Sequence, residues 1–115
     1  MAGKLVHFEV PAADTGRARK FYADLFGWDY QPWEGPFEYH TLAETQDPGG
    51  AIYPRQGNEH IRVWFDTDDL DADIERVRKL GGEATDKEQI PGVGWFTICK
   101  DTEGNEFGII AGEGQ

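Results

Sequence analysis

His7 and Glu9 stand two residues apart in KLVHFEV (4–10), and Arg62, Trp64 and Asp66 repeat that spacing in IRVWFDT (61–67). Side chains two apart in an extended strand lie on one face. One strand therefore presents an imidazole beside a carboxylate, and the other a guanidinium beside an indole and a carboxylate. An imidazole that titrates near neutrality can act as a general base or as a hydrogen-bond donor to a ligand. Equally, His7 can be a cavity histidine satisfied by Glu9 or another neighbour. Arg62 can clamp an anionic group with its planar fork, or can be neutralised by an ion pair with Glu9, Asp66 or Glu106. A third segment, NEFGII (105–110), places Glu106 two residues before Gly108. Glu106 is a second candidate for proton transfer, with a pKa that rises in a dry cavity and falls beside Arg62. Gly108 makes room, either for a ligand or for Trp64.

These residues need strands to aim them, and the pattern supplies strands. In 4–10, Val6, Phe8 and Val10 form one face and Leu5, His7 and Glu9 the other. Asp14 is a candidate N-cap. Ala18, Phe21, Tyr22, Leu25 and Phe26 follow at helical spacing, and Gly27 stands where a helix ends. Short strands are expected at 28–33, 37–43 and 51–55, separated by the turn-like EGP and ETQDPGG. The order then restarts. IRVWFDT alternates, Asp68, Asp69 and Asp71 lead into a helix carrying Leu70, Ile74 and Val77, and Gly81–Gly82 terminate it. Strands are expected at 83–89, 93–100 and 105–111. The result is a βαβββ unit twice over, module one about 4–55 and module two about 61–111. The expected fold class is α+β: one domain, residues 1–115, of two paired βαβββ modules whose curved sheets surround a concave cavity with the helices outside. Phe107 and Ile109 are the bulky residues a helix would cover, so Glu106 and Gly108 face the cavity with His7, Glu9, Arg62 and Trp64.

Composition narrows the partners. The 22 acidic residues outnumber 11 basic ones, which argues against nucleic acid or an anionic membrane surface. No apolar run approaches the length of a membrane span, and the start lacks a signal-peptide core. Cys99 is the single cysteine, so no intrachain disulfide forms, and a cytoplasmic location is expected. On a strand, Cys99 reads as a small buried hydrophobe. The acidic run at 66–73 lacks the glycine and glutamate of a calcium loop and reads as helix capping. PGVG (91–94) lacks the Lys-Ser/Thr of a phosphate loop. Trp64, Trp95 and Phe96 are either a stacking surface for a flat ligand or core.

VHFEV with FYADLFGW, then FDTDDLDADIERVRKLGG and IPGVGWFTICKDTEGNEFGII, resemble the vicinal oxygen chelate superfamily, which includes glyoxalase I, bleomycin-resistance proteins and extradiol dioxygenases. The similarity covers essentially the whole chain and points to its small glyoxalase-like members. The resemblance implies paired βαβββ modules, a homodimer, and in metal-using members four ligands of His or Glu type on the concave strands, for Zn, Ni, Fe or Mn. Carried over by position, these fall on His7, near Pro54, on Arg62 and on Gly108. Only His7 matches. A guanidinium repels a metal, and Glu106 lies one step, roughly 7 Å, early along its strand.

The reading that follows is a metal-independent glyoxalase/bleomycin-resistance-like protein that binds a small organic ligand and needs no cofactor. His7, Glu9, Arg62, Trp64, Glu106 and Gly108 are its candidate binding residues. Net charge favours cationic ligands at long range, whereas Arg62 favours an anionic group locally. The alternative is a lyase, isomerase or dioxygenase-type enzyme. It would use either a metal site rearranged around His7 and Glu106 with Glu9 or His40, or metal-free proton transfer by His7 or Glu106 beside a carbonyl held by Arg62.

Overall fold

The computed structural model describes residues 3–33, 35–43 and 47–112. Of the turn-like EGP and ETQDPGG stretches, Glu34 and residues 44–46 lie outside the described residues. The chain forms two compact units, one of residues 7–62 and the other of residues 63 onward with the first six. The fold class is α+β as expected.

The N-terminal unit contains most of β1 (Leu5–Ala12), then α1 (Thr15–Phe26), β2 (Tyr30–Pro32), β3 (His40–Leu42) and β4 (Gly49–Pro54). Its strands run in the order β2-β3-β4-β1, with β1 and β4 parallel and the other pairs antiparallel. Register assigns the faces. His7, Glu9 and Pro11 lie opposite Gly49, Ala51 and Tyr53, and Thr41 lies opposite Ala51. These residues share one face. The other carries Val10, Ala12 and Ile52, all buried, packed against Phe8, Tyr30 and the α1 residues Ala18 and Tyr22.

Helix α1 begins where Asp14 accepts the Arg17 amide at 3.0 Å and ends at Gly27, left-handed at φ 75°. Its apolar stripe is narrower than the sequence suggests. Ala18 and Tyr22 reach the core, but Phe21, Leu25 and Phe26 are 57–60% exposed. The space between helix and sheet is already filled by aromatic rings. Trp28 stacks on Tyr22 at 4.8 Å and meets Phe8 at 5.9 Å, and the Phe8 ring lies where a Cβ on Gly50 would stand.

The C-terminal unit holds β5 (Arg62–Asp66), α2 (Leu70–Lys79), β6 (Glu83–Ala84), β7 (Glu88–Ile90), β8 (Gly94–Lys100) and β9 (Glu106–Gly112), with Arg62 itself counted in the N-terminal unit. Strand β9 lies between β5, which is parallel to it, and β8; β6 and β7 both pair with β8. Asp69 caps α2 through the Ala72 amide at 3.1 Å. Leu70 and Ile74 then meet Cys99, Ile109 and Ala111, with Val77, Trp95 and Phe107 around them. Cys99 is thus a buried hydrophobe, and burial pushes its thiol pKa up.

One expectation is corrected here and one open alternative is settled. The strand read over 83–89 is two short strands, because side chains replace the ladder at Thr85. Thr85 Oγ1 accepts the Ile98 amide at 3.0 Å, and the fully buried Thr97 hydroxyl donates to the Thr85 carbonyl at 2.7 Å. The aromatics divide between faces. Trp95 packs on the α2 side beneath the Lys87 ammonium, 4.9 Å from its ring, while Phe96 turns the other way and meets Trp64 at 5.7 Å.

Trp64 lies opposite Gly108 in the β5–β9 register and is 6% exposed. A Cβ on Gly108 would stand 2.3 Å from its indole. Gly108 therefore makes room for Trp64, one of the two roles expected for it. Because a packed indole cannot retreat, Gly108→Ala should destabilise the fold by about 1–3 kcal/mol in urea denaturation. Combining it with Trp64→Leu should give strong non-additivity, since the smaller side chain relieves the clash.

Candidate ligand site on the face opposite helix α1

Strand β1 delivers His7 and Glu9 to one face, and the chain on either side of β3 and β4 delivers Tyr39 and Tyr53 to the same face. Arg62, the first residue of β5, joins them. The polar atoms form a chain. His7 Nε2 lies 2.7 Å from the Tyr39 hydroxyl, Tyr39 donates to Glu9 Oε2 at 2.8 Å, and Arg62 donates to Glu9 Oε1 at 3.4 Å. Arg62 and Glu9 side chains are only 15% and 13% exposed, so solvent screens the pair little.

The Tyr39 hydroxyl has one proton, and it points at a carboxylate that can only accept. Its oxygen must then accept from His7, which places the imidazole proton on Nε2 and leaves Nδ1 as the acceptor. Burial is the larger influence on His7 and pushes its pKa below the usual 6.5, against the opposing pull of Glu9. Burial also raises Tyr39, helped by Glu9, and pushes Tyr53 up to about 12, so both phenols stay protonated. Tyr53 lies 3.5 Å from Glu59, whose carboxylate organises the 56–59 turn through the Gln56 amide at 2.9 Å.

Around this chain the rings make a wall. Trp33 meets Phe37 at 4.9 Å and Tyr39 at 5.8 Å, Phe37 meets Tyr39 at 5.9 Å, and Tyr39 meets Tyr53 at 6.4 Å. Sequence reasoning placed none of these four in the site. The signal was strand parity: Tyr39 and Thr41 alternate with the buried Leu42, and Tyr53 alternates with the buried Ile52.

Of the candidate residues, His7, Glu9 and Arg62 come together in the N-terminal unit. Trp64, Gly108 and Glu106 belong to the C-terminal unit, where Glu106 is exposed and pairs in register with Lys100. Asp66 receives the Lys4 amide at 2.8 Å. His40 lies on the helix side, 2.7 Å from Glu38, away from the face of His7. Exposed His60 lines a separate cleft of about 360 Å³ with Arg55 and Glu59. A larger cleft, about 410 Å³ between Trp28–Asp29 and Leu42–Ala43, includes none of the candidate residues.

The donor set does not fit the superfamily's metal. His7 spends Nε2 as a donor to Tyr39, Arg62 brings a cation, and the Trp64 ring fills the space at Gly108. The remaining position falls near Pro54. Pro54 lies on the helix side, and the residue sharing the face of His7 and Glu9 is Tyr53, a protonated phenol. Among the described residues no three His, Cys, Asp or Glu side chains converge.

His7 predicts a pH dependence with a definite sign. Its folded pKa is lowered, so the unfolded chain takes up a proton near 6.5 that the native state refuses. Stability from this group is complete above 6.5 and falls as pH drops below it, by at most about 1.4 kcal/mol per pH unit. Urea denaturation between pH 5 and 8 should show that fall, and His7→Gln should flatten it. Tyr39→Phe removes the acceptor of His7 Nε2 and one of the donors to Glu9 and should cost roughly 1–3 kcal/mol.

Comparison with known proteins agrees with this architecture. Residues 6–110 match the family described as a glyoxalase-like domain. A glyoxylase-like domain-containing protein of Didymella fabae is 34% identical over 125 residues, covering 98% of this chain and 97% of its own. Among solved structures, a methylmalonyl-CoA epimerase in complex with methylmalonyl-CoA and NH4+ is similar with a TM-score of 0.70 at 14% identity, covering 99% of this chain and 97% of its own. A hypothetical protein from Bacillus halodurans reaches 0.75 at 11% identity, covering 98% and 96%. At such identities the structures speak for the fold alone. With its two strand–helix–strand units and this match over nearly its full length, the chain belongs to the glyoxalase-like domain family of the vicinal oxygen chelate superfamily.

Proposed function

We propose that this protein is a metal-independent member of its family that binds a small organic ligand against the His7–Glu9 face of the N-terminal unit. The observation that carries the reading is the His7–Tyr39–Glu9–Arg62 chain, which uses organic hydrogen bonds where metal-dependent relatives need ligands. A few convergent polar groups among aromatic rings are the usual composition of a small-molecule site. The runner-up is a metal-free lyase or isomerase, favoured by one feature. His7 is held neutral by burial and presents Nδ1 as a base, the state that proton abstraction beside a carbonyl requires. The proposed assembly is a homodimer, and the exposed Phe21, Leu25 and Phe26 on α1 are the apolar surface a second copy would cover.

A thermal-shift panel of small organic molecules tests the main reading. A binder at 100 times its Kd should stabilise by about 2.7 kcal/mol, and His7→Ala or Arg62→Ala should reduce the shift. A chelator should leave Tm unchanged. A Tm loss on chelation that a divalent ion restores would contradict metal independence. Light scattering should give twice the chain mass, falling to one with Phe21→Glu and Leu25→Glu together.

A further inference from the structure

We infer that the ligand of this face is a planar aromatic compound that presents a hydrogen-bond donor, a phenolic hydroxyl or a ring N–H, to His7 Nδ1. The inference rests on the ligand-binding reading and adds its chemical class. It follows from counting protons. Glu9 accepts from Tyr39 at 2.8 Å, so Tyr39 accepts from His7 at 2.7 Å, and His7 is left with an acceptor and no second donor. Nδ1 makes no hydrogen bond to the described residues. Nδ1 is open to solvent, so a ligand that covers this face displaces water from it and must supply a donor in its place. A carboxylate ligand, having only acceptors, cannot do so.

The ring wall supplies the rest of the class. His7 itself stacks with Tyr39, at 6.2 Å and 21° between planes, so the acceptor belongs to a continuous set of five rings running through Trp33, Phe37, Tyr39 and Tyr53. Trp33 lies across Gly35, where a Cβ would collide with the indole, and Phe37 remains 55% exposed. An exposed aromatic beside a partly buried polar chain offers a stacking surface that the fold core does not use.

Three naphthalenes of nearly equal size separate the possibilities by calorimetric titration: 1-naphthol, 1-methoxynaphthalene and 1-naphthoate. The expected order puts 1-naphthol first, with the methyl ether and the carboxylate each roughly tenfold weaker, the worth of one hydrogen bond. His7→Ala should make naphthol and its ether equal. Tyr39→Phe, which keeps the ring but releases the imidazole proton to either nitrogen, should narrow their gap. If naphthol and its ether bind the wild type equally, the donor requirement is overturned and the ligand-binding reading stands. If naphthoate binds best, the site selects anions and the inference is wrong. If no naphthalene binds, the aromatic class is overturned, and the thermal-shift panel decides the broader reading by itself.

Discussion

The single proton of the Tyr39 hydroxyl sets the chemistry of this protein. It goes to Glu9, and every other assignment on that face follows. The tyrosine oxygen becomes an acceptor, His7 must donate through Nε2, and Nδ1 keeps its lone pair. Glu9, little exposed, holds its charge between a phenol and the Arg62 guanidinium. Removing either would leave a carboxylate short of a partner, the costly half of any buried polar network. His7, which the resemblance places at a ligand position, is the head of a hydrogen-bonded chain.

Glycines opposite aromatic rings give the scaffold its shape. Gly50 lies under Phe8 on the helix side of the N-terminal unit, and Gly108 lies under Trp64 on β9 of the other. In each case a Cβ would stand well inside contact distance of the ring, so the missing side chain is a packing requirement. The first pair lets Phe8 and Trp28 fill the layer beneath α1, which explains why half of that helix's apolar residues face outward. The second closes the space that a coordinating side chain would need.

Much of this was legible in the sequence. Alternation at Val6–Val10 and Val63–Asp66, the cap Asp14 and the terminator Gly27 fix elements through local physics and act as expected, whereas Ile61 lies outside β5 and is exposed. The assignment of His7, Glu9 and Arg62 to one cluster came from the same parity. Tyr39 escaped because parity gives its face within its own segment but not its partner, and His7 stands 32 positions away on β1. Matching DPGG to DTEG leads to the neighbourhood of Pro54, itself on the helix side, because the two turns feed their strands differently. Strand β4 already begins at Gly49 within its turn, whereas β9 waits until Glu106, two residues past Gly104. A strand's phase inverts with a single residue.

The most direct measurement is the nitrogen-15 spectrum of the His7 imidazole at neutral pH, before and after addition of zinc. The account predicts a protonated Nε2 and a bare Nδ1, with Nε2 coupled to its proton and the pattern unchanged by the ion. A proton on Nδ1 with a bare Nε2, or a stoichiometric zinc-induced shift that Tyr39→Phe leaves intact, would contradict it.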